Sequence, residues 1–194
     1  MSLNSLIRKL GVLSMAGGVA AVPLITALTL TGWGTPGTAA YQTYELLNRL
    51  MAFSLLLMMA GWMGLFLVMP RGYGRWAVLL ALAGATFMVI GNAAEFWLFS
   101  DLSYDCCNVR HAAWSTFLLG LLATVIGATV SGLAVRRAHN WPQWRGLLLM
   151  LALPLGILGF GITPFLGPAV LALALGWLLL TRTSPIQVQS EVAT

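Results

Sequence analysis

The residues of this chain equipped for chemistry are few, and they fall in two stretches. The first is Tyr44-Glu45-Leu46-Leu47-Asn48-Arg49; the second runs from Asn92 and Glu95 through Asp101, Tyr104, Asp105, Cys106, Cys107 and Asn108 to Arg110 and His111. Residues three or four apart on a helix share a face, so Glu45 can pair with Arg49, and Asn92 lies beside Glu95. Glu95 sits inside an apolar run, where a carboxylate is costly and is a functional candidate by default. The expectation is a small polar pocket in which Glu95 pairs with Arg49 or Arg110 and Asn92 completes the lining, with Glu45 and Asp105 nearby. A structural ion pair locking two helical hairpins accounts for the same residues without a ligand, and the sequence leaves both readings open.

Cys106, Cys107 and His111, with Asp101 and Asp105 beside them, are weak metal candidates. Zinc sites space their cysteines by a few residues, whereas these two are adjacent, so no metal and no other cofactor is expected. Other catalytic sets lack their parts. The two histidines are His111 and His139, in stretches expected at opposite faces, and the sequence holds no Cys-x-x-Cys and no glycine-rich phosphate loop. Met51, Met58, Met59 and Met63 read as adaptable packing residues rather than ligands.

The elements that must position these side chains are membrane helices. The composition is 59% hydrophobic and 8% charged, against roughly a quarter charged in a soluble domain, which excludes water-soluble and disordered classes. Apolar runs of about the 20 residues needed to cross a bilayer occupy 10–31, 50–69, 76–98 and 113–135. A fifth run, 146–181, would extend about 54 Å as one helix and is broken by Pro154, Gly159, Gly161, Pro164, Gly167 and Pro168. It reads as two short spans, 146–160 and 164–181, joined by Gly161-Ile162-Thr163-Pro164; one span plus a re-entrant segment is the rival. The fold class expected is an all-α integral membrane protein, a six-helix transmembrane bundle forming one domain over 1–182, with a disordered cytoplasmic tail over 183–194.

Charge placement favours the six-span count. The net charge is +5, and with the N-terminus inside, Arg8, Lys9, Arg71, Arg75, Arg136, Arg137, Arg145 and Arg182 share the cytoplasmic side, leaving Arg49 and Arg110 outside. Glu45, Glu95, Asp101 and Asp105 all fall at or near the outer face. Both termini are therefore expected in the cytoplasm, in a multi-pass protein of the plasma or inner membrane. Bases this sparse, in runs of no more than two, exclude a nucleic-acid partner. Trp33, Trp62, Trp76, Trp97, Trp114, Trp141, Trp144 and Trp177 mostly fall near span ends, as interfacial aromatics do. Arg8-Lys9 and Thr38-Ala39-Ala40 also fit a cleaved signal peptide, but the apolar run between them is long enough that a retained helix is expected.

Two patterns bear on assembly. Tyr44-Glu45-x-x-Asn48-Arg49 and Tyr104-Asp105-x-x-Asn108-x-Arg110 each precede a span descending to an Arg-rich turn, which suggests a parallel hairpin repeat of the kind some transporters use. Gly120, Thr124, Ala128 and Gly132 recur every four residues in the fourth span, a small-residue face for close packing inside the bundle or against a partner. The function expected is that of a non-catalytic accessory or assembly protein that binds partner membrane proteins, a second copy of itself, or lipid. The alternatives are a small-solute or ion transporter with its polar site near the outer face and, behind that, an outer-leaflet enzyme.

Overall fold

Ser2 and Thr38 start the first two helices. Each supplies a hydroxyl that accepts from a backbone N–H of the first turn, Ser5 at 3.3 Å and Tyr41 at 3.3 Å, so the helices begin well before the apolar spans they contain. A computed structural model describes residues 2–32, 34–100, 102, 108–137 and 142–181. Its helices are α1 (Leu3–Thr31), α2 (Ala39–Val68), α3 (Tyr73–Ala93) with a wide π-helical turn (Ala94–Leu98), α4 (Asn108–Arg137), α5 (Gln143–Met150), α6 (Ala152–Ile162) and α7 (Leu166–Leu180). No strand occurs among the described residues. Trp33, His139, Trp141, Arg182 and the tail 183–194 lie outside them.

Four segments, α1, α2, α3 with its π-helical turn, and α4, are long and apolar enough to cross a membrane. The chain is thus a helical membrane protein by the length and composition of these segments. The broken fifth run forms two further helical stretches. The α5 and α6 helices run on as one bent segment, because Leu151 N–H donates to Leu147 at 3.0 Å and Leu155 N–H donates to Leu151 at 3.1 Å across the join. Extended backbone at Thr163, followed by Pro164, then separates α6 from α7. Counted this way the described residues form six helical stretches. The last is much shorter than the first four.

Each helix packs against its neighbours in sequence, and α1 closes the circle on α7. The most extensive packing is between α3 and α4. A Cβ on Gly84 would lie 2.6 Å from the Gly120 carbonyl, and one on Gly127 would lie 2.5 Å from the Ala81 backbone nitrogen. Only glycine allows backbones this near. The small-residue face of α4 is therefore consumed inside the bundle: Gly120 and Thr124 meet α3, Gly132 meets Gly146 of α5, and Ala128 is fully buried. Two interior hydroxyls donate to carbonyls, Ser14 to Ala172 at 2.8 Å and Ser54 to Gly17 at 2.5 Å, as buried polar groups need partners.

The start of α1 and the end of α7 meet at one end of the bundle, where Gly11 packs on Leu179 and Gly176. Outward faces carry Leu30, Leu98, Trp76 and Ile157, all largely exposed, as a lipid-facing surface requires. Trp76, Trp97, Trp144 and Trp177 are about half or more exposed, whereas Trp62 departs from the interfacial pattern: it is buried in the core with Leu65, Val78 and Leu175.

Candidate functional site

At the end of the bundle opposite the start of α1 and the end of α7, the second to fourth turns of α2 and the first turn of α4 meet the π-helical turn that follows α3. The early start of α2 matters here. Because its helix begins at Ala39 rather than near residue 50, Tyr44, Glu45, Asn48 and Arg49 are held on a regular helical face instead of in a loop.

Glu45 is the hub of the ion pairs. Its carboxylate lies 3.9 Å from Arg49 Nη2 on the same helix and 3.5 Å from Arg110 Nη2 of α4. The two guanidinium groups also close the C-terminal end of α3, where backbone carbonyls lack intrahelical donors. Arg49 Nε donates to the Phe96 carbonyl at 2.7 Å, and Arg110 Nη1 donates to the Ser100 and Leu102 carbonyls at 3.3 and 3.0 Å. The arginines thus tie three helices together. The sequence placed Glu45, Arg49 and Arg110 at one face; the carbonyls of Phe96, Ser100 and Leu102 as their additional partners were not legible in it.

The π-helical turn is the second feature that the sequence hid. The Phe99 N–H reaches back five residues to the Ala94 carbonyl at 2.9 Å, widening the helix so that Glu95 and Phe96, adjacent in sequence, are both buried. Such turns are insertions in regular helix and recur at functional sites. Asn48, Asn92, Glu95 and Arg110 are each 3% exposed or less. The Asn48 amide donates to the Tyr44 carbonyl at 2.9 Å, while Asn92 Oδ1 has no hydrogen-bond partner among the described residues. Tyr44 packs edge-on against Phe96 at 5.8 Å between ring centroids and lies within electrostatic reach of Glu95 and Arg110. Asn48 and Tyr44 belong to the motif read from the sequence but were given no role there; an Asn on the apolar side of a helix was the available signal.

Beneath the cluster the interior turns apolar. Met51, Met88, Phe117 and Phe165 are buried together, with Phe117 stacked on Trp114 at 5.3 Å and edge-on to Phe165 at 5.2 Å. Below that layer, a void of about 10 Å³ among Leu55, Met58, Trp62, Met88 and Thr124 has room for roughly one water.

His111 is exposed at the start of α4, beside Arg110. Asp101, Tyr104, Asp105, Cys106 and Cys107 lie outside the described residues, so the loop's metal candidates and the second copy of the repeat are not visible as a set. The parts of the two copies that are described differ: Asn48 is buried and Asn108 exposed, while Arg49 is partly exposed and Arg110 buried. Among the described residues no three His, Cys, Asp or Glu side chains cluster as metal ligands. The arrangement can bind and brace.

Fold and cluster together define a polytopic helical membrane protein with buried polar and charged groups at one end. No family model matches the chain, and no curated protein or solved structure resembles it significantly.

Proposed function

We propose that the protein is a non-catalytic accessory or assembly component of a plasma or inner membrane complex. Its six helical stretches all cross the bilayer, both termini lie in the cytoplasm, and its outward faces receive partner membrane proteins or a second copy. One observation carries this reading: Glu45, Arg49 and Arg110 are engaged with one another and with carbonyls of the π-helical turn and the segment after it, above an interior packed with aromatic and methionine side chains. A bundle braced in this way is a rigid scaffold rather than a conduit.

Native mass spectrometry on protein extracted gently from its own membrane tests the proposal. A reproducible mass above that of the single chain, resolving into further protein subunits, is expected. A lone chain at every extraction condition would overturn it.

A second reading has its own observation, the buried Asn92 carbonyl without a hydrogen-bond partner among the described residues, one turn from buried Glu95. On this reading the cluster is the outer site of a small-solute or ion transporter, and the parallel repeat supplies its two halves. A cysteine at position 92, in a protein whose native cysteines are replaced by serine, would then react with an external polar thiol reagent. Absence of labelling would remove the transporter reading and leave the scaffold.

A further inference from the structure

The opposite end of the bundle carries Arg8, Lys9, Arg71, Arg75, Arg136, Arg137 and Arg145, and no acidic residue stands there among the described residues. Some of this charge is engaged. Arg75 lies over the Phe66 ring at 4.2 Å, and Arg145 donates to the Thr181 carbonyl at 3.0 Å while lying 5.6 Å from the Trp144 ring centroid. Arg136 and Arg137 differ: both are exposed, and neither forms a hydrogen bond or ion pair among the described residues. With Leu133 and Gln143 they line an open groove of about 240 Å³ between the end of α4 and the start of α5.

The groove is a product of close helix packing. Gly132 and Gly146 bring the backbones of α4 and α5 together, and the aliphatic stem of Arg136 lies against Gly146, where a Cβ would collide with the arginine Cγ. Packing, not a carboxylate, therefore holds this arginine beside the groove. On the other wall, Pro142 precedes α5 and offers its first N–H groups no side-chain acceptor; the positive end of the α5 dipole there is offset by the negative end of α4, so the net charge of the groove is that of the two guanidinium groups. Away from the charged rim, Trp144, Leu147 and Leu151 are exposed along one side of the same helical segment. A cationic groove continuous with an apolar helix face matches an amphiphile with an anionic head better than it matches a soluble protein or a nucleic acid.

We infer that this groove binds an anionic phospholipid, with its phosphate against Arg136 and Arg137 and its acyl chains along Trp144, Leu147 and Leu151. The phosphate chemistry alone would also admit free phosphate, and the test separates the two. Purified full-length protein in mild detergent is titrated with phosphatidylglycerol, with phosphatidylcholine as the neutral comparison, and bound lipid is counted by native mass spectrometry. Phosphatidylglycerol is expected to bind in preference, and R136Q/R137Q to weaken that binding roughly 30-fold. R136K/R137K, which keeps charge and stem, is expected to retain most of it, and R8Q/R71Q, which removes equal charge elsewhere at this end, to retain nearly all. Equal loss in R8Q/R71Q would mean a diffuse field and overturn the site. So would unchanged binding in R136Q/R137Q, no preference over phosphatidylcholine, or displacement of the lipid by inorganic phosphate. Thermal melting of each variant separates loss of the site from loss of the fold.

Discussion

Arg49 and Arg110 contact the same carboxylate but stand in different surroundings, and their replacement should cost differently. The Arg110 side chain is 3% exposed and that of Arg49 is 37%. An exposed ion pair contributes little because water and salt screen it, whereas removing buried Arg110 takes from Glu45 its nearer cation and leaves the Ser100 and Leu102 carbonyls without their donor. Arg110→Ala is expected to lose about 3–5 kcal/mol of stability, and Arg49→Ala about 1 kcal/mol, most of it from the bond to the Phe96 carbonyl. Denaturant unfolding in detergent measures both, and equal losses would contradict this division. Glu95→Gln discriminates between the functional readings: on the scaffold reading the variant assembles with its partners as the native chain does, and on the transporter reading it folds but carries no solute. The Glu45–Arg49 pair was legible from spacing alone. The part played by Arg110 was legible only as a position, since its carbonyl partners depend on how the chain turns after Phe99.

At the scale of the helices, two devices are open to test. The first is the glycine contact of α3 with α4. Gly84→Ala and Gly120→Ala each introduce a methyl into backbone, which is expected to cost about 1–3 kcal/mol apiece. The double variant should cost less than the two singles combined, because both methyls push the same two helices apart at one contact. The second is the π-helical turn. Deleting Ala94 restores a regular helix and rotates the Phe96 carbonyl away from Arg49, so Arg49→Ala should cost almost nothing in that background; a double-mutant cycle reads this directly. The apolar runs announced the helices, and the small-residue face on α4 announced close packing. Neither told which neighbour that face would meet, because Gly120 and Gly132 suit an internal helix and an external partner equally well. The π-helical turn left no trace in the pattern, since one additional residue in an apolar run changes neither its composition nor its length appreciably.

For the whole molecule, the proposed orientation makes a plain forecast. Reporter domains fused at residue 1 and after residue 194 should report the same side of the membrane, and a reporter inserted after Gly37 should report the other. A signal on opposite sides for the two ends would mean that only one crossing is made after α4, the rest of the fifth apolar run being re-entrant. The all-helical, membrane-spanning class was legible because hydrophobic length acts over whole segments and survives any local irregularity, while the sorting of arginines supports only the proposed orientation. The candidate cluster was legible only in outline, because burial of Asn48 and the second partners of the arginines arise from three segments meeting, and no single segment encodes that meeting.

The shortness of α7 has a consequence for the membrane itself. Its 15 residues extend about 22 Å, less than the roughly 30 Å of hydrocarbon in an ordinary bilayer, while α2 and α4, at 30 residues each, extend about 45 Å. On the proposed six-crossing topology, lipid reaching α7, whose one exposed side chain is Trp177, must compress while that beside α2 and α4 need not, at a cost that rises with each ångström of mismatch. The protein should then be more heat-stable in bilayers of shorter acyl chains, and in a mixed membrane should gather such chains on one flank only, thereby giving a small bundle a thin side and a thick side.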